Sequence, residues 1–250
     1  MKRRAELSVA MIARDAEGQI GRALDSVIWA DEICVADTGS RDRTKEVAAR
    51  FGARVASVDF SSGFGRAKQA AVRMTTNDWI LSLDSDEVVT PELRRSIEQF
   101  LLDCDAYAGA RVGRITNLCG HWIHHSGWYP EYVLRLFNKK HAGFDDSPLH
   151  ESIKFNGKIK RLSGCLLHYS YPDLAVYVRK TREYARWGAL KKRQLPVFMK
   201  LLCMLIKPAA AFIRKFLLQR GFMDGLPGLW IACFTSGGQF LKYYYALRRK

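Results

Sequence analysis

Four short apolar runs in the first half of the chain constrain its fold most strongly. Each run has the length and composition of a buried β-strand, and stretches with helical spacing of apolar residues separate the runs. The runs cover residues 7–12, 32–36, 54–58 and 79–83, and helices are predicted between them at residues 20–28, 44–51 and 66–74. Strands that alternate with helices in this way form a parallel sheet with helices on both faces. The sequence therefore predicts an α/β fold.

The pattern changes twice in the second half of the chain. From about residue 105 to residue 170, short runs such as residues 133–137 are separated by turn-forming residues, which predicts a mixed or antiparallel extension of the sheet. From about residue 173 onward the chain has the pattern of long helices that are basic and aromatic. We therefore expect a globular domain at residues 1–170 and a helical region at residues 171–250.

The net charge of +15 belongs almost entirely to this helical region. Residues 1–170 hold 24 Lys and Arg against 22 Asp and Glu, whereas residues 171–250 hold 16 against 3. Basic amphipathic helices with aromatic residues lie in the membrane interface and are attracted to anionic lipid. No run reaches the roughly 20 uninterrupted apolar residues of a spanning helix. The pattern predicts a cytoplasmic protein bound peripherally to the inner face of the cell membrane. The alternative is a helical cap with a solvated basic face.

Paired carboxylates follow the fourth predicted strand directly. Asp84 and Asp86 form a D-x-D pattern at the end of that strand, and ligands of open α/β sheets bind beyond the carboxyl ends of the strands. Two carboxylates close together in a site of low dielectric repel one another, and a divalent cation that prefers oxygen ligands relieves the repulsion. The pattern favours Mg²⁺ or Mn²⁺ held together with ligand phosphates over a solvated acidic turn.

Two other loops at the same predicted edge carry polar groups. Asp37 ends the second strand, where its carboxylate could accept hydrogen bonds from a base or ribose, or else form a cap or turn for the next helix. Asp42 is better placed for the capping role, which leaves Asp37 available. Residues 61–68 place glycines beside Arg66 and Lys68, as in a diphosphate clamp. Neither the Walker A spacing nor G-x-G-x-x-G is present, which argues against a dinucleotide cofactor.

Three segments taken together resemble the family 2 glycosyltransferases of GT-A fold. They are LSVAMIARDAEGQIGRALDSV at residues 7–27, ICVADTGSRDRT at residues 33–44 and DWILSLDSDE at residues 78–87. Further segments resemble the bacterial branch that includes the lipopolysaccharide inner-core glucosyltransferases, which add a sugar to a heptose. Those segments are FSSGFGRAKQAA at residues 60–71, GWYPEYVLRLF at 127–137, PLHESI at 148–153 and the C-terminal GFMDGLPGLWIACF and FLKYYYAL at 221–234 and 240–247.

The resemblance implies an inverting transfer from a nucleotide-diphosphate sugar, usually a UDP-sugar. It implies a donor-binding role for seven residues: Ile12, Ala13 and Arg14 lining the base pocket, Asp37 on the uracil, Lys68 near the base or diphosphate, Asp84 on the ribose or sugar, and Asp86 on the metal. The chain departs from the family at residues 14–17, where Arg-Asp-Ala-Glu replaces the common Asn-Glu-Glu. No role for Asp15 is therefore carried over.

Inverting transfer needs a general base that takes the proton of the acceptor hydroxyl. By motif position Glu151 is the expected base, with Asp145 and Asp146 as rival carboxylates. His150 is a candidate metal ligand, or a group that orients Glu151, or a structural histidine.

Residues 119–129 and Arg135 allow more than one interpretation. The spacing of Cys119, His121, His124 and His125 fits no standard structural zinc site. We expect His124, His125, Trp128 and Tyr129 either to line an acceptor pocket or to pack a loop. Arg135 pairs either with a phosphate or with an internal carboxylate.

The leading functional hypothesis is a metal-dependent inverting transferase that moves a hexose, with glucose favoured, from a UDP-sugar to a lipopolysaccharide core heptose or a similar membrane-linked glycan. Alternative acceptors are a peptide, a polyprenyl phosphate or a capsule precursor. A non-enzymatic protein that binds nucleic acid or membranes through the basic region is the alternative from another class, but the sequence contains no nucleic-acid-binding motif. A sugar nucleotidyltransferase would carry a Gly-rich loop just after strand one, and this chain has none there.

Overall fold

The computed structural model describes residues 3–60, 63–145 and 153–248 and divides the chain into two compact units. The first unit comprises Met1–Arg114 and Tyr132–His168, and the second comprises Ile115–Glu131 and Tyr169–Lys250. The second boundary lies two residues from the predicted one at residue 170, whereas residues 115–131, predicted to be part of the first domain, lie in the second unit. They belong to the second unit because Leu118 and Ile123 form a buried cluster with Tyr177 and Ile231 of the C-terminal helices.

The first unit begins with the predicted alternation of strands and helices. The elements are β1 (Leu7–Ala13), α1 (Ile20–Asp25), β2 (Glu32–Asp37), α2 (Thr44–Arg50), β3 (Arg54–Ser57), α3 (Phe64–Met74) and β4 (Trp79–Asp84). The four strands pair in parallel in the order β3-β2-β1-β4. The α/β prediction is therefore confirmed. The first helix ends three residues earlier than predicted, and Ile28 is 61% exposed.

The rest of the sheet is mixed, as the sequence predicted for residues 105–170. Its elements are β5 (Glu87–Val89), α4 (Pro91–Phe100), β6 (Gly109–Leu118), β7 (His121–Ile123), β8 (Glu131–Asn138), β9 (Ala142–Phe144), β10 (Ile153–Phe155) and β11 (Ile159–Tyr171). The sheet continues from β4 through β8, β6, β11 and β5, with β8 antiparallel to β4 and β5 antiparallel to β11. Strands β9 and β10 form a separate antiparallel pair.

The core of the first unit explains why the parallel strands are apolar on both faces. On one face, Leu7, Val9 and Met11 of β1 are fully buried and pack with helix residues, and on the other face Ala10 of β1 and Ile80 of β4 are buried in a second cluster. The charged residues of these central strands, among them Glu32, Asp37 and Asp84, lie at the strand ends, where the sheet meets the loops. At the start of α4, Thr90 accepts a hydrogen bond from the Leu93 N–H and Pro91 occupies the first turn, which is a sequence pattern typical of a helix start.

The second unit contains the predicted C-terminal helices. They are α5 (Leu174–Leu190), α6 (Val197–Ile213), a π-helical turn at Arg214–Leu218, a 3-10 turn at Gly221–Asp224 and α7 (Leu226–Leu247). Asp173 caps α5 by accepting a hydrogen bond from the Val176 N–H at 2.7 Å. The uncharged stretch at residues 226–241 lies within α7. Over the residues described, none of the helices combines the length and the hydropathy needed to cross a bilayer.

Candidate active site

The parallel strands bring four of the predicted donor-binding residues to one edge of the sheet. In the register of the ladders, Ala13 at the end of β1 lies opposite Asp37 at the end of β2. On its other side, β1 places Ile12 opposite Asp84 at the end of β4. This edge holds the carboxyl ends of the strands, where ligands of open α/β sheets bind. The predicted convergence of the first, second and fourth strands is therefore present in the structure.

The loops after β1 and β2 are fastened to each other by reciprocal hydrogen bonds. The Arg41 N–H donates to the Asp15 carboxylate at 2.8 Å, and the Asp15 N–H donates to the Ser40 hydroxyl at 3.0 Å. Two residues further along each loop, the Arg43 N–H donates to the Glu17 carboxylate at 2.8 Å. Asp15 thus has a structural role at the position where the chain departs from the family that it resembles. The exposed Arg14 lies beside this loop pair, with its guanidinium 5.9 Å from the centre of the Phe60 ring.

Asp37 is more engaged than the sequence predicted. Its carboxylate accepts hydrogen bonds from the Gly39 N–H at 3.1 Å and the Ser40 N–H at 3.2 Å, and the residue is 1% exposed. Asp42 lies at the start of α2, where its carboxylate accepts a hydrogen bond from the Thr44 N–H at 3.0 Å. The expectation that capping by Asp42 leaves Asp37 without local bonds is corrected, because the turn after β2 has its own N–H groups to satisfy. Each Asp37 oxygen retains further acceptor capacity toward a ligand.

Asp84 is clamped between two cations. Lys68 on α3 lies 2.7 Å from one carboxylate oxygen, and a guanidinium nitrogen of Arg135 on β8 donates to the other. Burial alone would raise the pKa of Asp84, but the charges and hydrogen bonds of Arg135 and Lys68 hold it well below its usual range. Asp84 is therefore an anion whose two oxygens have fixed positions.

Glu87 is the buried centre of the same cluster, and no role was predicted for it. It is fully buried and accepts from the Arg135 guanidinium at 2.7 Å and the Arg114 guanidinium at 3.2 Å. Its second oxygen accepts from the Asp84 N–H at 3.2 Å. Arg135, itself 6% exposed, thus bridges two carboxylates. Burial would lower its pKa, but Asp84 and Glu87 raise it above the usual range. Of the two predicted roles for Arg135, the structure shows the internal carboxylate.

Asp86 lies in the turn between β4 and β5 and has a histidine partner that the sequence analysis missed. The His168 Nε2 is 3.2 Å from the Asp86 carboxylate, and Nδ1 of the same ring is buried without a partner among the described residues. His168 reaches this position because the β5–β11 ladder places it opposite Glu87. No local sequence signal marks that pairing, because β5 and β11 are about eighty residues apart.

A cavity of about 360 Å³ opens beside the Asp84 cluster. Its lining consists of Lys68, Asp84, Arg114, Val133, Leu134, Arg135, Phe144 and Ile153. Three of these side chains are cations and one is a carboxylate. With the buried Glu87 included, the described side chains around the cavity retain a net positive charge, which favours an anionic ligand.

The acceptor-side predictions are tested only in part. Glu151, His150 and Asp146 lie outside the described residues. Asp145 forms an ion pair with Lys154 at 3.1 Å.

The histidine segment binds Asp224. The Asp224 carboxylate accepts hydrogen bonds from the backbone N–H groups of His124 and His125 and contacts the His125 ring, all at 3.0–3.1 Å. Trp128 packs against Tyr171 and Tyr177. Among residues 3–60, 63–145 and 153–248, no group of three or more His, Cys, Asp or Glu could hold a metal ion.

A family model and two relatives place the chain among known proteins. The family model for glycosyl transferase family 2 matches residues 8–185. The chain is 28% identical to an uncharacterized glycosyltransferase of Rickettsia typhi, over 95% of this chain and 85% of that one. It is 26% identical to the lipopolysaccharide core biosynthesis glycosyltransferase LpsC of Rhizobium meliloti, over 92% and 90% of the two chains. A solved structure of glucosyl-3-phosphoglycerate synthase from Mycobacterium tuberculosis, in complex with Mn²⁺ and UDP, is similar with a TM-score of 0.39 and 26% identity, over 45% and 44%.

Proposed function

We infer the reaction from the family, because the chain belongs to glycosyl transferase family 2 and is therefore an enzyme that uses nucleotide sugars. We propose that it moves a hexose, with glucose favoured, from a UDP-sugar. The proposed acceptor is a heptose of a lipopolysaccharide core or a similar membrane-linked glycan. The mixed α/β sheet is the GT-A fold of the family. One observation carries the proposal. Asp84 stands at the carboxyl end of β4, next to β1 and beside a cavity lined by cations, and Asp86 follows it in the next turn.

The side chains at the end of β4 suit a sugar and a diphosphate in different ways. Asp84 is held as an anion by Lys68 and Arg135, so its fixed oxygens are prepared to accept hydrogen bonds from ribose or sugar hydroxyls. Lys68, Arg114 and Arg135 give the cavity its positive charge, which attracts a diphosphate. Ile12, Ala13 and Arg14 are proposed to line the base pocket, with Asp37 accepting from the uracil.

The residues around Asp86 fit a divalent cation. Asp86 is in contact with His168, and carboxylate and imidazole groups are ligands that Mn²⁺ accepts, whereas Mg²⁺ prefers oxygen alone. We assign Asp86 as a metal ligand, His150 as a second ligand and His168 as the group that orients the Asp86 carboxylate. A bound Mg²⁺ or Mn²⁺ would add positive charge at the diphosphate oxygens.

Transfer with inversion is a single displacement at the anomeric carbon. The acceptor hydroxyl oxygen forms a bond to that carbon, the bond from the carbon to the diphosphate oxygen breaks, and UDP leaves. The hydroxyl proton passes to the Glu151 carboxylate, which the motif position makes the general base. Asp145 is a weaker candidate because Lys154 neutralises its charge at 3.1 Å.

The acceptor and the location are supported by the likeness to LpsC and by the charge of the second unit. LpsC is named for lipopolysaccharide core biosynthesis and aligns over nearly the whole of both chains. Residues 171–250 carry 16 Lys and Arg against 3 Asp and Glu, which suits the anionic inner face of the cell membrane. An acceptor attached to lipid would meet the enzyme at that surface.

The test is a transfer assay with a panel of donors and acceptors. UDP-glucose, UDP-galactose, UDP-N-acetylglucosamine and a GDP-sugar are incubated with Mn²⁺ or Mg²⁺ and a heptose-terminated core glycolipid, and the anomeric configuration of the product is read by NMR. We expect transfer from UDP-glucose onto heptose, with inversion. Transfer only onto a peptide, a polyprenyl phosphate or a capsule precursor would replace the acceptor, and retention of configuration would overturn the mechanism.

A further inference from the structure

Helix α6 has the reverse of the polarity of a helix in a water-soluble protein. Its only buried residue is Lys200, which is 7% exposed and donates a hydrogen bond from Nζ to the Arg193 carbonyl oxygen at 2.8 Å. In contrast, Phe198 is 72% exposed and Leu205 is 73% exposed. Soluble helices bury apolar side chains and solvate charged ones. The polarity of α6 therefore indicates that water is not what its outer face contacts in the working protein.

The exposed apolar side chains form one continuous stripe. Phe198, Leu202, Leu205, Ala209 and Ile213 are spaced three or four residues apart on α6, and Ile206 lies next to Leu205. Val197, Met199 and Leu201 are also exposed and widen the stripe at the start of the helix. Lys200 and Lys207 lie on the opposite side of the helix, since each is about half a turn away from Phe198 at 3.6 residues per turn. The helix therefore separates apolar and cationic groups onto two faces about 10 Å apart.

The apolar surface continues beyond the end of α6. Leu217 and Leu218 in the π-helical turn are 53% and 75% exposed, and Phe222 and Met223 in the 3-10 turn are 52% and 56% exposed. We call the stripe on α6 and these four residues the α6 surface. Single exposed apolar residues are normal, but a contiguous patch of this kind marks an interaction site.

The charge around the α6 surface identifies its occupant. After Glu183 the only acidic residue is Asp224, whose carboxylate is bound by His125. Burial lowers the pKa of Lys242, and the positive charges of Lys192 and Lys207 lower it further. These three lysines therefore repel one another. A second copy of this unit would bring the same positive charge and would be repelled. An anionic bilayer offers an apolar layer next to a layer of phosphates, which matches both faces of α6.

We propose that the α6 surface is the membrane-binding element, with α6 lying in the plane of the interface, its apolar stripe inserted into an anionic bilayer and its exposed lysine, Lys207, at the level of the lipid phosphates. The expected depth is about 5–10 Å, as for other interfacial helices. This inference rests on the membrane location in the proposed function and deepens it. It assigns attachment to α6 rather than to the longer α7, which includes six buried residues.

The experiment is flotation of the full-length protein with phosphatidylcholine vesicles, with and without about 30% phosphatidylglycerol. The test variant is Phe198→Gln combined with Leu205→Gln, and the control is Ile28→Gln, a 61% exposed apolar residue of the first unit. All three side chains already face water, so the variants should keep their fold, which circular dichroism checks. We expect anionic vesicles to bind the double variant at least about tenfold more weakly, equivalent to about 1.4 kcal/mol, and the control to bind as the unaltered protein does.

Two further measurements separate the possible outcomes. At about 1 M salt, where charge attraction is screened, the unaltered protein should retain part of its binding and the double variant none. Equal vesicle binding by the unaltered protein and the double variant would overturn the inference. It would also be overturned if the unaltered protein bound no vesicles and formed a dimer in light scattering that the double variant did not form. Slow hydrolysis of UDP-glucose in solution is measured on the same samples. Its absence from all of them would count against the transferase assignment and leave the membrane result standing.

Discussion

Replacing Arg135 should cost the first unit a large part of its stability, because this residue neutralises two carboxylates at once. Arg135 is 6% exposed and donates to both Asp84 and Glu87. Removing one partner of a buried ion pair costs about 3–5 kcal/mol. Each carboxylate keeps another cation, Lys68 for Asp84 and Arg114 for Glu87. We therefore expect Arg135→Met to lower the free energy of unfolding by about 3 kcal/mol, at the lower end of that range.

The assay is urea denaturation, with the slope of the transition compared between variants, and thermal denaturation as a second measure. In a chain of this size, about 3 kcal/mol corresponds to a fall in Tm of roughly 6–12 °C. Arg94→Met is the matched control, because Arg94 forms an ion pair with Glu98 that is 48% exposed on the arginine side. Exposed pairs contribute at most about 1 kcal/mol.

A double-mutant cycle isolates the contact between Arg135 and Glu87. The two side chains are 2.7 Å apart in a buried site, so Arg135→Met and Glu87→Gln should couple by about 1–3 kcal/mol rather than add. Strict additivity, or an Arg135→Met variant no less stable than Arg94→Met, would refute the assigned role of the cluster.

Three other changes test separate parts of the account. Glu151→Gln should lower turnover by about 10²–10⁴-fold while Asp145→Asn stays near normal, and the reverse pattern would transfer the role of base. The pKa of Glu32 is lowered from 4.5 to about 2, since hydrogen bonds from Ser8, Arg54 and Thr76 outweigh its burial. Its contribution, at most about 3 kcal/mol, is thus complete above pH 4.5 and is lost as the pH falls toward 2. Denaturation at a series of pH values should show a flatter profile for Glu32→Gln, and identical profiles would contradict this. Asp224→Ala removes the acceptor of two backbone N–H groups and should cost about 1–3 kcal/mol in urea denaturation without changing UDP binding. Unchanged stability would contradict the role of Asp224 in fastening that loop.

The parts of the fold that depend on local patterns could be predicted from the sequence. The four apolar runs became β1 to β4, and Gly52 follows α2 with a φ of +74°, the conformation expected of a glycine just after a helix. The D-x-D pattern was placed correctly at the end of β4, because hydrophobic periodicity and strand order locate that edge without any long-range information.

The network around Asp84 could not be predicted, because it depends on pairings between distant segments. Arg135 reaches Asp84 because β8 pairs with β4, and His168 reaches Asp86 because β11 pairs with β5. Sequence alone left the phosphate and the carboxylate equally open as partners of Arg135. The same limit applies to residues 115–131, whose side chains pack with C-terminal helices about sixty to a hundred residues away.

The reversed polarity of α6 could not be predicted for a different reason. The sequence favours a membrane-binding helical region over a cap, but it does not show which side chains of α6 face outward. Only the structure shows that Lys200 is inside and that Phe198 and Leu205 are outside.

The most direct test of the central claim is calorimetric titration of UDP, with and without Mn²⁺, into the protein and two alanine variants. Asp86→Ala changes the second residue after the carboxyl end of β4, and Asp78→Ala changes the residue before its amino end, where Asp78 is partly exposed and paired with Lys140. Both variants remove the same group from opposite ends of one strand. We predict that UDP binds in a Mn²⁺-dependent manner to the unaltered protein and to Asp78→Ala, and that Asp86→Ala loses the dependence on Mn²⁺. Undiminished Mn²⁺-dependent binding by Asp86→Ala would contradict the placement of the donor site at the end of β4.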